Sequence, residues 1–197
     1  MVHIQTEQKK SSRLTLWLIL AICAAPIVAA LVAYFFWQPQ SRNNYGSLIA
    51  PQRPLPALAT TTLDGQAFDL RSLRGKWIML SADTGACDAN CQQKLYALRQ
   101  VRASTGDKQT RIERVWLVLD DQTVAPEVLA EHPGLRVIRV AAAQAQAFLP
   151  APASGSIQGP MYLIDPLGNL MLQWPAQADM KRMRKDLGRL LWASRIG

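Results

Sequence analysis

The sequence predicts an α/β domain, with helices flanking a central mixed sheet, carried behind one membrane-spanning helix. Three observations predict it. The stretch from Leu14 to Trp37 runs for 24 residues without a charge. Beyond it, short apolar runs alternate with helix-like segments, the pattern of strands joined by crossover helices. Between the first such strand and the first such helix stand two cysteines, Cys87 and Cys91.

The apolar stretch, LTLWLILAICAAPIVAALVAYFFW, spans about 36 Å as a helix at ~1.5 Å per residue, enough for a hydrocarbon core of ~30 Å. Tyr34 and Trp37 at its far end suit an aromatic interfacial belt, and membrane helices tolerate a proline such as Pro26. A cleaved signal peptide is the alternative. The run exceeds an h-region of ~7–15 residues, and no convincing small-x-small cleavage site follows it. Leu20-Ala21-Ile22-Cys23 is similar to a lipoprotein box, but bulky Ile22 argues against processing, so Cys23 reads as a small apolar helix residue. Lys9, Lys10 and Arg13 precede the span, and Arg42 is the only basic residue close behind it. The positive-inside rule therefore predicts a cytoplasmic tail over 1–13, a span over 14–37, and everything beyond it outside, in the periplasm of a bacterium.

Residues 38–57, with Pro39, Pro51, Pro54 and Pro56 among polar residues, read as a semi-rigid extended linker. The domain is expected over 58–197. Thr60 to Leu70 reads as a hairpin turning at Asp64-Gly65. Lys76 to Ala82 is a buried strand, and Cys91 to Ala103 a helix with Leu95, Leu98 and Val101 at helical spacing. Ile112 to Asp120 is apolar enough to be a central parallel strand. A short helix over Val124–His132, a strand over Leu135–Val140 and a short helix over Ala141–Phe148 follow. Met161–Asp165 and Asn169–Trp174 form a hairpin through Pro166-Leu167-Gly168, and Gln177 to Arg195 closes the chain as a helix.

One of the three cysteines falls in the span, so the outer domain has only Cys87 and Cys91, which fits a working pair better than a disulfide scaffold. A helix start favours thiolate over thiol, making the sulfur a nucleophile or a soft-metal ligand. Four residues apart on a helix, the two can approach disulfide distance. Asp88 beside them opposes ionisation of the thiols. Two buried, unreactive cysteines are the plainer reading of the same pair. Thiolates select Cu(I), and Met161 is the best placed methionine to supplement them. Met180 and Met183 share a helical face with Leu187, Leu190 and Leu191 and read as core. Lys181, Arg182, Arg184, Lys185, Arg189 and Arg195 lie off that stripe, as a solvated face or as a surface for anionic headgroups or an acidic partner. The net charge of +8 invites a nucleic-acid reading, which the outward-facing domain and the lack of any nucleic-acid motif exclude. Asp120 and Asp121 read as a loop start.

Leu63-Asp64-Gly65 with Phe68, Leu73-Arg74-Gly75-Lys76-Trp77, the Cys-x-x-x-Cys at Cys87 and Cys91, Val118-Leu119-Asp120 with Pro126-Glu127-Val128-Leu129, and Tyr162-Leu163-Ile164-Asp165-Pro166-x-Gly168 together carry a resemblance. The chain resembles the Sco/SenC group of membrane-anchored, thioredoxin-like cytochrome oxidase assembly proteins. That resemblance implies a thioredoxin-like domain, copper bound by both cysteines and a histidine, and service to the oxidase CuA site by copper delivery or thiol reduction. Cys87 and Cys91 carry over as ligands. The histidine does not: Ser156-Ile157-Gln158-Gly159-Pro160-Met161 stands in its place, and the only histidines are His3 and His132. Gly159-Pro160-Met161 resembles instead the cis-proline segment of thiol–disulfide oxidoreductases, which implies a cis bond before Pro160 and a part for Pro160 in catalysis. An unremarkable proline starting an edge strand is the other reading.

The reading is a periplasmic thiol–disulfide or copper-handling protein of the inner membrane, assisting oxidase assembly. If it is an enzyme, it is a thiol–disulfide oxidoreductase with Cys87 attacking from an exposed turn and Cys91 resolving. Cu(I) is the conditional cargo of Cys87 and Cys91, and an oxidase subunit or another periplasmic thiol or copper protein the partner. The rival is a non-catalytic scaffold using the fold as a binding surface; a peroxidase is disfavoured for want of an arginine-supported cysteine.

Overall fold

The structure, a computed structural model, describes residues 8–36, 44–152, 155–194 and 196. His3, Trp37, Pro39, Arg42, Arg195 and the first part of the expected linker, 38–43, lie outside the described residues. The chain divides into two units, Met1–Asn43 and Asn44–Gly197.

The first unit contains helix α1 (Gln8–Phe36), continuous through Pro26. Its stretch Arg13–Phe35 is long and apolar enough to cross a membrane, with a mean hydropathy of 2.7. Cys23 lies on it with a free, exposed thiol.

The second unit is built on strands β1 (Ser47–Pro54), β2 (Thr60–Thr62), β3 (Ala67–Phe68), β4 (Trp77–Asp83), β5 (Ile112–Val118), β6 (Leu135–Val140), β7 (Met161–Ile164) and β8 (Asn169–Trp174). Helices α2 (Ala89–Ala103), α3 (Pro126–Glu131), α4 (Ala142–Phe148) and α5 (Met180–Ala193) connect and cover them. Two short 3₁₀ turns, Leu70–Leu73 and Gly106–Arg111, were not legible as elements in the sequence. The strands form one sheet in the order β1-β8-β7-β4-β5-β6-β2-β3. β4, β5 and β6 run parallel; β7 turns back against β4, and β8 against β7. The expected hairpin is β2–β3, turning through Gly65 at a φ of 81°, and it adds to β6 at the far edge.

The period-two alternation of strand side chains sorts the core. Ile78, Leu80, Ala82, Val115 and Leu117 join Ala145 and Phe148 of α4. Trp77 and Met79 join Ala97, Leu98 and Val101 of α2 and Met183, Leu187 and Leu191 of α5. Of the expected Met180–Met183 pair, Met183 is core and Met180 is 40% exposed.

The expected linker is corrected. Residues 47–54 are strand β1, paired antiparallel with β8, and Leu55 beyond it is buried and donates its N–H to the Gly168 carbonyl. The reason is that proline holds its predecessor in the extended region that a strand also uses. An edge strand tolerates the missing N–H, so a Pro-rich tether and a Pro-bearing edge strand look alike in sequence. The junction is fastened by Asp186 of α5. Its buried carboxylate accepts the N–H groups of Tyr45 at 3.1 Å and Gly46 at 2.8 Å, and Nε1–H of Trp174 at 3.2 Å.

Candidate functional site

β4 delivers the chain to a tight turn in which the Cys87 N–H donates to the Thr84 carbonyl at 3.2 Å. Cys87 has a φ of 45°, the left-handed region. Asp88 then caps α2, its Oδ1 accepting the Cys91 N–H at 2.9 Å. That bond gives the Asp88 carboxylate a structural task beyond its charge. Cys87 and Cys91 are joined as a disulfide with Cα atoms 5.0 Å apart. Both are only 1% exposed, packed with Leu95 of α2, Trp116 and Val118 of β5, and Val124 and Val128 at α3. The expectation of an exposed Cys87 is therefore corrected. The turn is where the sequence puts it, but the side chain points into this cluster, a tertiary feature that turn chemistry alone does not reveal.

The turn is pinned from β5's end. Asp120 Oδ1 accepts the Gly85 N–H at 2.8 Å, and Arg139 donates to the Asp120 and Gln122 carbonyls at 2.7 and 3.0 Å. Asp120 is thus a positioning residue for the cysteine turn, more than the loop start its sequence context indicated.

Below the turn lies a buried ion pair. Lys94 Nζ is 2.6 Å from Asp83 Oδ2, with the two side chains 2% and 10% exposed. Ser81 Oγ also donates to that oxygen at 3.1 Å. Burial pushes the Asp83 carboxyl above its ordinary value; Lys94 and Ser81 pull the other way, and Asp88 adds to the rise. Lys94 also donates to the Gln158 carbonyl. Asp83, Asp88, Lys94 and Gln158 together line an open cleft of about 300 Å³ beside the start of α2. The pair had a sequence signal: Lys94 sits three residues after Cys91, on the inward face with Leu95 and Leu98, and Asp83 ends an apolar run.

The Gly159–Pro160 bond is trans, which corrects the cis expectation; among the described residues the cis peptide bond is Ala50–Pro51. The segment before Pro160 is tied down differently, through the hydrogen bond between its Gln158 carbonyl and Lys94. Pro160 itself is buried at the start of β7. Met161 faces the cluster of Trp77, Leu98 and Met183, a different cluster from that of the cysteines. It therefore does not complete their donor set.

His132 is buried in the loop after α3, its Nδ1 without a hydrogen-bond partner among the described residues. Burial and the neighbouring Arg99 and Arg114 push its imidazolium pKa below the ordinary 6.5, and Glu131 opposes them. The unfolded chain then binds this proton at a higher pH than the folded one. This stabilising contribution is complete above pH 6.5 and is lost as pH falls through the folded pKa. Urea unfolding at several pH values is expected to give a flatter acid limb for His132→Gln than for the parent chain. Among the described residues no three His, Cys, Asp or Glu side chains are grouped to hold a metal ion. Once reduced, the pair therefore offers two sulfurs, a donor set suited to two-coordinate Cu(I) and poor for Cu(II), which wants nitrogen as well.

Residues 77–194 match a family described as the transmembrane-like, thioredoxin-like C-terminal domain. The chain belongs to that family. The match spans β4 to α5 and so takes in the cysteine turn, the ion pair and the Pro160 segment of this thioredoxin-like domain. No curated protein matches the chain in sequence. Among solved structures, apo Sco1 from Thermus thermophilus superimposes with a TM-score of 0.58 at 18% identity, covering 78% of this chain and 98% of that one. Copper-bound ScoI of Bradyrhizobium japonicum gives 0.53 at 17% identity, covering 69% and 98%. BsSco, a Sco-family cytochrome c oxidase assembly protein with an identified disulfide switch, gives 0.54 at 12%, covering 73% and 96%. At these identities the likeness establishes the fold, which Sco/SenC proteins share with this chain.

Proposed function

We propose that this is a membrane-anchored periplasmic protein of oxidase assembly, whose Cys87–Cys91 pair exchanges disulfides and, when reduced, passes Cu(I). The observation that carries the reading is the disulfide itself, set between β4 and the capped start of α2. A bridge closing so short a loop is a weak staple. The chain-entropy estimate is about 2 kcal/mol for ~4 residues, against ~4.7 for a 100-residue loop. A pair that does little to hold the fold is better explained by its chemistry.

In the reducing direction, the Cys87 thiolate attacks a disulfide sulfur of the partner. One partner sulfur leaves as thiolate and a mixed disulfide forms. Cys91, deprotonated, then attacks Cys87 Sγ, releasing the partner's second thiolate and restoring the Cys87–Cys91 bond; two electrons pass to the partner. Cys87 is assigned the attacking role because a turn can open without unwinding α2, whereas Cys91 is already within the helix. Asp120 and Asp88 position the turn, and the Asp83–Lys94 pair holds charge beneath it. Copper is the cargo here; it would be held by Cys87 and Cys91 alone. The fold shared with copper-bound ScoI and the disulfide switch of BsSco support the reading.

The burial of both sulfurs favours a second reading, a scaffold in which the bridge is inert. Structural disulfides have potentials below about −300 mV. The detergent-solubilised full chain is expected to equilibrate with glutathione or dithiothreitol buffers above that value. The reduced chain is expected to withdraw one Cu(I) from a chromophoric chelator, and Cys87→Ser to lose both activities. A potential well below that limit together with no copper binding would leave the scaffold.

A further inference from the structure

The outer face of α5 carries a basic stripe. Lys181, Arg184, Lys185, Arg189 and Trp192 line one exposed stripe with Gly188 between them, along an open groove of about 700 Å³. Trp192 is 82% exposed. The helix's one acidic residue, Asp186, is buried on the opposite side and fully engaged with Tyr45, Gly46 and Trp174. Arg182 is set apart from the stripe, stacked 4.1 Å from the Tyr45 ring. Among the described residues of α5, the stripe itself thus carries cations and no carboxylate, and ends in a large aromatic.

We propose that this face docks on an anionic phospholipid surface, the lysines and arginines meeting headgroup phosphates while Trp192 enters the interfacial layer. Basic side chains near an anionic bilayer and an interfacial tryptophan are the two parts of such a contact. The choice of lipid over an acidic protein rests on Trp192 and on the length of the tether. Only residues 37–43 separate the end of α1 from Asn44, and seven residues reach at most about 25 Å. Asp186 fastens Tyr45 and Gly46 to α5 itself, so the tether ends on the element that carries the stripe. The proposal rests on α1 being a membrane anchor and is independent of the cysteine chemistry.

The test uses the full chain, with Cys23→Ser removing the free thiol and Ala193→Cys carrying an environment-sensitive fluorophore, in lipid nanodiscs. Discs of phosphatidylcholine alone are compared with discs that also contain phosphatidylglycerol. The expected result is a blue-shifted emission only with phosphatidylglycerol, weakened by salt and by Trp192→Ala. It should be lost in the Lys181→Glu/Arg184→Glu/Lys185→Glu chain. Each basic residue near an anionic surface is worth roughly a fivefold change in the ratio of docked to undocked chain, so the triple change is expected to reduce that ratio by more than about a hundredfold. Emission indifferent to lipid charge, or a shift that survives the triple reversal, would overturn the proposal. So would a shift produced by soluble polyglutamate and not by the discs, which would point to an acidic protein. Failure of the chain to enter the discs would overturn the anchor beneath it. None of these outcomes bears on the copper titration, so the two readings fail separately.

Discussion

Lys94→Met is expected to destabilise the oxidised chain by about 3–5 kcal/mol at neutral pH, among the largest losses that a single charge removal produces. Asp83 is buried and already held above its ordinary pKa, so Lys94 is the group that makes its ionised form tolerable there. Without the ammonium, the carboxyl must stay protonated or ionise unpaired in a low-dielectric site. The sign follows from proton binding. A carboxyl whose folded pKa is raised binds more protons in the folded state, so its contribution is whole below the unfolded value near 3.8 and is lost as pH rises through the folded pKa. The gap between parent and Lys94→Met should therefore close toward acid pH and open toward neutrality. Adding Asp83→Asn should restore much of the loss, because removing both charges leaves no uncompensated ion. Urea unfolding followed by circular dichroism measures all three chains. A pH-independent gap would mean that Lys94 acts through its hydrogen bond to the Gln158 carbonyl rather than through Asp83.

What the sequence revealed divides along a physical line. β5 was legible because its apolar run Val115–Leu119, bounded by Arg114 and Asp120, has few uses other than a strand covered on both faces. The β2–β3 hairpin was legible because Asp64-Gly65 meets a local backbone demand that the chain satisfies by itself. The cysteine turn and the start of α2 were legible for the same reason, down to a cap residue whose charge was seen and whose bond to the Cys91 amide was not. What stayed hidden depends on partners distant in sequence. Burial of Cys87 is set by Trp116 and Val128. The pairing of Lys94 with Asp83 needs α2 laid across β4. Strand β1 is a strand only because β8 presents an open edge to it. The cis expectation at Pro160 came from resemblance, and the backbone there is trans with its neighbouring carbonyl taken by Lys94.

Gly85→Ala is expected to loosen the cysteine turn without touching either sulfur. A Cβ at position 85 would stand 2.3 Å from the Gln122 carbonyl oxygen and 2.9 Å from its carbon, so backbone has to move. Neither side gives readily. Gln122 is held by Arg139, and Gly85 by its N–H bond to the Asp120 carboxylate. Overpacking of this kind costs about 1–3 kcal/mol, and losing a hydrogen bond to a charged group about 1.5–3, so a total near 3 kcal/mol is expected where the two overlap. Asp120→Ala separates the contributions, because it removes the bond and leaves the space; its loss should be the smaller. The chemical consequence is opposite in sign to the loss of stability. A turn lifted from the 120–122 segment uncovers Cys87, so reduction of the disulfide by dithiothreitol should be faster in Gly85→Ala than in the parent. Equal reduction rates in a chain shown to be destabilised would mean that access to the sulfurs is governed by α3 and Val128 instead, and that the route to Cys87 opens from that side.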